Sequence, residues 1–211
     1  MADRFIITIN RQYGSRGREI GMRLSELLGI KFYDRELIAL ASKESGYVET
    51  VFENADERPS KSLLFSLVME SYASKGWFYQ QDDILSNEKL FAIQAEVIRN
   101  VAKESCIIVG RCADYILRDE PGLITVFTHA PVKYRIEGLR SENPGLDNKE
   151  LESRIRRLDK QRANYYSYYT GRDWLSVENY HLAIDTSVTD VEGAVRMILD
   201  LKEIQEKKGA S

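Results

Sequence analysis

Four short apolar runs set the strongest limit on how this chain can fold. They are FIITI (5–9), CIIV (106–109), LITVF (123–127) and LAI (182–184). They are rich in isoleucine and valine and lack strict polar alternation, as strands buried on both faces of a parallel sheet do. Residues 30–33 are a candidate fifth strand. Helical periodicity fills the intervals. Ile20, Leu24, Leu27 and Leu28 form one stripe, which Gly29 ends. Asp34 caps a second helix, with Leu37, Ile38 and Ala41 inward and Gly46 at its end. Leu90, Gln94, Val97, Ile98 and Val101 line a third. Thr189-Asp190-Val191-Glu192 reads as a capping box before a last stripe of Val191, Ala194, Val195, Ile198 and Leu199. Strands alternating with helices predict an α/β fold: a mostly parallel sheet of about five strands in three layers, joined by right-handed crossovers.

Two stretches interrupt the alternation within what reads as a single domain, 1–211. Residues 47–87 hold Pro59, an apolar run around Leu63 to Met69, and Trp77, Phe78 and Tyr79; they predict a helical insertion. Residues 147–172 are helical and strongly charged. No apolar run approaches the about 20 residues of a membrane span, and the start of the chain has no signal-like apolar core. Two cysteines make no disulfide framework, so a reducing cytoplasm is expected. Two histidines and two separated cysteines give no zinc spacing. Thirty basic against 33 acidic residues, a net charge of −3, argue against a general nucleic-acid binder. A homo-oligomer is left open.

Ligands of open α/β sheets bind at the carboxyl ends of the strands, so the chemistry is sought there. The loop after the first strand, residues 10–20, carries Tyr13, Gly14, Ser15, Arg16, Gly17, Arg18 and Glu19. Glycines before a helix N-terminus offer backbone N–H groups and a positive dipole end to phosphate. Against the pattern G-x-x-x-x-G-K-[ST], Gln12 takes the first glycine slot and Gly17 the last. Arg18 takes the lysine slot and Glu19 the hydroxyl slot. Arg18 can grip phosphate oxygens as a fork. Glu19 is the one carboxylate suggested for magnesium. After the second clear strand, Arg111 and Asp114 share a face of a helix start, where they suit either a nucleotide or each other as an ion pair. Cys112 and Cys106 read as packing, and His129 and His181 as structural. Residues 154–172 hold six basic residues and one acid, with Tyr165, Tyr166, Tyr168 and Tyr169 interleaved. Such a helix suits closure over phosphates, a solvated face, or RNA.

Taken together, these pieces resemble the cytidylate kinase-like family of P-loop proteins. They are INRQYGS (9–15) with GREI (17–20), FYDRELI (32–38), IVGR (108–111) with ADYIL (113–117), and Phe127 with His129-Ala130-Pro131. The last are Asp159 with RANYY (162–166), YTG (169–171), and IDTS (184–187). They follow in family order over nearly the whole chain. The resemblance implies a P-loop fold with a monophosphate-binding insertion and an arginine-bearing lid, and ATP with Mg²⁺ as cofactors. It implies that Gly14, Ser15, Gly17 and Arg18 cradle the donor phosphates. Asp34, Arg35, Arg111 and Asp114 would face an acceptor nucleotide, and Arg18, Arg157, Asp159 and Arg162 would serve transfer. Arg16 stands where members of that family usually carry another glycine, which matters if the position has positive φ. Arg35-Glu36-Leu37 replaces the Ser-Gly-Ala of true cytidylate kinases.

Three functions follow as expectations. The first is a nucleotide or small-molecule kinase that transfers the γ-phosphoryl group of ATP, with CMP or dCMP first in line. The second is a non-catalytic nucleotide- or phosphate-binding regulator with a modified loop. The third is an RNA-binding module using 154–172, opposed by the acidic remainder of the chain.

Overall fold

A computed structural model of the chain describes residues 4–34 and 87–209. The chain divides into two compact units, 35–100 and the remainder. The described part of the first is one helix, here α2 (Asn87–Val101), with Gln94, Ala95, Val97 and Ile98 buried. Arg35, the helix expected from Leu37 to Gly46 and all but the last residue of the 47–87 insertion lie outside the described residues.

The other unit is built on five parallel strands: β1 (Ile6–Arg11), β2 (Lys31–Tyr33), β3 (Cys106–Val109), β4 (Leu123–His129) and β5 (Leu182–Asp185). Their order is β2-β3-β1-β4-β5. Ile7 lies beside Ile107 on one side and Ile124 on the other. The four expected runs and the fifth candidate are all strands. The first extends to Arg11 and the third to His129, which carries Arg11 and His129 to the carboxyl edge.

Successive strand residues point to opposite faces. One face presents Ile7, Ile9, Ile107, Val109, Ile124, Val126 and Ile184 to α1 (Gly17–Leu28) and α6 (Thr186–Gly209), which answer with Ile20, Leu24, Ala194, Val195 and Ile198. Each such side chain contributes roughly 1.5–3 kcal/mol on burial. Leu27, expected inward on α1, is 49% exposed. The Gly21 backbone lies so close to Phe32 and Val109 that a Cβ would strike them. On the opposite face, Phe127 meets Trp174 edge-on at 5.2 Å and Tyr180 at 4.9 Å. The short helix α3 (Ala113–Ile116) also packs there, against β1. Cys106 is buried in this sheet and its thiol is pushed up to about 12 by burial. Cys112 is buried as well. His181 accepts the Thr125 N–H at Nδ1, 3.1 Å, and burial lowers its pKa.

The expected capping box before the last stripe does not form. Asp190, not Thr189, caps the helix by accepting the Gly193 N–H at 2.8 Å, with Asp190 itself at φ 52°. Thr189 instead donates to the Asp185 carbonyl, because the chain is already helical from Thr186. A capping box does form one helix earlier. Asp147 and Glu150 satisfy each other's backbone N–H groups at the start of α5 (Asn148–Thr170). A small second core, Leu139, Leu151 and Ile155, joins α5 to α4 (Val132–Leu139) and receives the Tyr13 side chain.

Candidate functional site

The β1–α1 loop leaves the middle of the sheet, where the strand order changes sides, and it is held in place from several directions. Gln12 extends the β1–β4 ladder through its N–H to the Thr128 carbonyl, 3.0 Å, and its side chain accepts from Ala130 N–H. Gly14 turns at φ +79°, and a Cβ there would lie 2.8 Å from Leu139 Cδ1. Ser15 is fully buried. Its hydroxyl bonds the Gln12 and Thr128 carbonyls and the Thr128 hydroxyl, all within 3.0 Å, so the side chain braces the loop from inside. Gly17 has no room for a Cβ, which would meet Thr128 Oγ1 at 2.5 Å and Arg11 Cβ at 2.7 Å.

Arg16, in the place of a family glycine, has φ 61°. A left-handed residue with a side chain costs about 1–2 kcal/mol. Arg16 therefore has the glycine conformation without being glycine, and its guanidinium turns outward to the Glu19 carboxylate at 2.7 Å. Arg18, 57% exposed at its side chain, bonds Asp34 Oδ2 at 3.0 Å, and Arg11 lies 3.4 Å from Asp34 Oδ1. Asp34, at the end of β2, thus sits between two guanidiniums beside the glycine loop. Among the described residues no group of three or more metal-ligating side chains assembles.

The turn after β3 is strained. Gly110, Arg111 and Cys112 are consecutive residues at φ 81°, 60° and 54°. Glycine suits position 110 because its φ of +81° strains any side chain, and the Arg11 guanidinium fills the space beside it. Such a run persists only where its surroundings enforce it. The turn ends in α3, where Asp114 is 4% exposed and accepts the Tyr166 hydroxyl at 2.7 Å. Burial raises the Asp114 pKa, and the Tyr166 hydrogen bond offsets part of that rise. Tyr166 is pushed up in turn by burial and by Asp114.

From α5, Asp159 reaches the loop with both oxygens. Oδ1 accepts the Tyr13 N–H at 2.7 Å and Oδ2 the Arg135 guanidinium at 2.5 Å. Arg162 donates to the Arg11 carbonyl at 3.0 Å. Arg154 and Arg162 lie 5.8 and 5.6 Å from the Tyr13 ring centre. Arg157 is exposed and has no ion pair among the described residues; it lines a groove with Leu146, Lys149 and Arg154. The structure therefore brings Tyr13, Asp159 and Arg162 together, and Arg18 with Asp34. Arg111 and Asp114 do not form the ion pair that their spacing allowed, because Asp114 turns inward to Tyr166. Sequence reasoning missed Arg11 and Arg135. Arg11 was signalled by its place at the carboxyl end of the first strand. Nothing in the pattern around Arg135 marked it.

A doubly flanked parallel sheet with a braced glycine loop after its first strand is the architecture of P-loop kinases. The chain belongs to the cytidylate kinase-like family, whose model matches residues 6–188. Among solved structures, an uncharacterized protein from Eubacterium ventriosum ATCC 27560 is 29% identical with a TM-score of 0.69, over 95% of this chain and 99% of that one. A shikimate kinase from Bacteroides thetaiotaomicron shares the fold at 15% identity and TM-score 0.51, over 94% and 98% of the two chains. A gluconokinase from Sinorhizobium meliloti 1021 does so at 16% and 0.50, over 98% and 99%. No curated protein matches the chain. No helix among the described residues is long and apolar enough to cross a membrane.

Proposed function

We propose that this chain is a phosphotransferase that moves the γ-phosphoryl group of ATP to a small acceptor, with CMP or dCMP the first to test. The observation that carries this reading is the cation pair Arg11 and Arg18 converging on Asp34 beside the Gly14–Gly17 loop. Phosphoryl transfer asks the protein mainly for positioning and for positive charge around phosphate oxygens. Exposed Arg18 can exchange the Asp34 carboxylate for donor phosphates, the stronger multivalent partner. Asp34 then faces the acceptor side with Arg11 still at its other oxygen. Arg111 belongs to that acceptor side, and Asp114 supports its turn from within through Tyr166. Arg157 and Arg162 on α5, with the loop residues Tyr13 to Glu19, make up the donor side, and Asp159 holds that loop in place.

Magnesium suits this donor set. The ion is usually held by one or two carboxylates together with substrate phosphates, and Asp34 would offer one such carboxylate beside the loop once Arg18 leaves it for phosphate. When bound, it would neutralise charge on the phosphates. Glu19 is engaged by Arg16 and would need to leave it to take part.

A coupled ADP-release assay tests the reading, run over nucleoside monophosphates together with shikimate and gluconate, the substrates named by the fold neighbours. ADP release that depends on one acceptor is the expected result. No release with any acceptor from folded protein would remove the kinase reading. The pairing of Arg16 and Arg18 with carboxylates favours one second reading, a nucleotide-binding regulator. It predicts calorimetric ATP binding without transfer.

A further inference from the structure

Arg135 lies on α4 with its side chain only 5% exposed. A buried guanidinium is costly unless paired and hydrogen-bonded. Its pairing here is specific. One nitrogen, Nη1, donates both to Asp159 Oδ2 at 2.5 Å and to the Tyr13 carbonyl at 3.2 Å. The other Asp159 oxygen accepts the Tyr13 N–H at 2.7 Å. Both backbone polar groups of Tyr13 are thus held by one ion pair that bridges α4 and α5, immediately before the left-handed Gly14. Arg162 adds a third tie one turn along α5, to the Arg11 carbonyl.

We infer that Arg135 is a positioning residue: it fixes the Asp159 carboxylate so that α4 and α5 together hold the Gln12–Tyr13 turn of the glycine loop. Asp159 is on this account a strut of the loop, not a group that meets substrate. The Tyr13 N–H is occupied by Asp159 and the Ser15 N–H by the Gln12 carbonyl at 3.2 Å, so the phosphate-facing N–H groups are the others of the loop. A phosphate loop works because its N–H groups are aimed before the ligand arrives. Tyr13 sets the direction in which the chain enters the Gly14 turn. Loosening the Arg135–Asp159 pair would blunt the loop without removing any atom from it.

Amide hydrogen exchange at Tyr13, read by NMR on the full chain with and without ADP, tests this directly, beside ADP affinity by calorimetry. In the wild type the Tyr13 amide should exchange slowly and stay slow with ADP bound. In Arg135→Gln and Asp159→Asn it should exchange at least about tenfold faster, the range expected for a lost charge-assisted bond. Ile7 and Ile9 in β1 should remain protected. ADP affinity should fall about tenfold in both variants, and Arg135→Lys should recover part of each loss. A Tyr13 amide that stays slow in folded Arg135→Gln, or turns fast when ADP binds the wild type, overturns the inference. Should Arg135→Gln fail to fold, Asp159→Asn decides: wild-type exchange there refutes the strut. The affinity readout rests on the nucleotide reading above and the exchange readout does not. If ADP binds no variant, including wild type, that reading fails while Tyr13 exchange still decides the strut.

Discussion

At the scale of single residues, the loop shows two glycine positions treated differently. Gly17 has no space for a methyl group against Thr128 and Arg11. Arg16 has the left-handed backbone but open surroundings, with its side chain exposed. Gly17→Ala should therefore destabilise the protein by roughly 1–3 kcal/mol through overpacking. Arg16→Gly should change stability by less than about 1 kcal/mol, because relief of backbone strain offsets the loss of a surface ion pair. Urea midpoints of the two variants check this, and equal losses would contradict it. Asp114 offers a test with a definite sign. Its native pKa is raised, first of all by burial. The folded state then holds the proton more tightly than the unfolded chain, so stability falls as pH rises through the carboxylate range. Asp114→Asn keeps an acceptor for Tyr166 and removes that penalty. It should stabilise the protein at neutral pH, with the gain shrinking below about pH 4, where both states are protonated. Denaturation at the two pH values measures the difference, and a gain that grows on acidification would refute the assignment.

At the scale of elements, the cap of α5 matters because that helix carries every tie from Asp159 and Arg162 to the loop. Asp147→Ala should cost about 1 kcal/mol, the usual loss of an N-cap with its reciprocal glutamate. Amide exchange should quicken first in the opening turn around Glu150 and Leu151. Uniform quickening along the helix would show that the cap is not what anchors its start. The Asp-x-x-Glu spacing was readable from the sequence, but the density of charge there drew the reading toward a ligand-facing surface instead. The strands and α1 were legible because burial on two faces leaves long aliphatic runs and burial on one leaves a period near 3.6. Leu27 misled because periodicity marks apolar residues and not the width of the face a helix buries: α1 buries Ile20 and Leu24 and leaves Leu27 about half exposed. A helical turn from Thr186 precedes a break at Asp190, so the last helix proper starts where the box was expected but is capped by Asp190 in place of Thr189. The glycine loop was legible from local chemistry alone. The Arg135–Asp159–Tyr13 clamp was not, because it joins residues 122 and 146 positions apart from Tyr13 and leaves no local signature.

At the scale of the whole molecule, a net charge of −3 conceals an uneven distribution. Residues 154–172 carry six bases against one acid, and residues 4–35 carry seven bases against three acids. The structure draws members of both stretches to one place. Arg11 and Arg18 meet Asp34, while Arg154 and Arg162 stand over Tyr13. Cations gathered at the carboxyl edge of the sheet, with an acidic remainder, should draw a polyphosphate to the loop and repel long nucleic acids elsewhere. A ligand that binds only the folded state stabilises it by about 2.7 kcal/mol at a hundredfold excess over Kd. For a chain of this size that corresponds to a rise in Tm of roughly 5–10 °C. ADP should produce such a rise, and the rise should shrink as salt increases, because the attraction is partly screened. Arg18→Ala should leave the ligand-free Tm nearly unchanged, since that side chain is more than half exposed, yet remove most of the ADP-induced shift. Thermal melts of both proteins at low and high salt decide the matter: a full ADP shift retained by Arg18→Ala would move the donor site away from this loop.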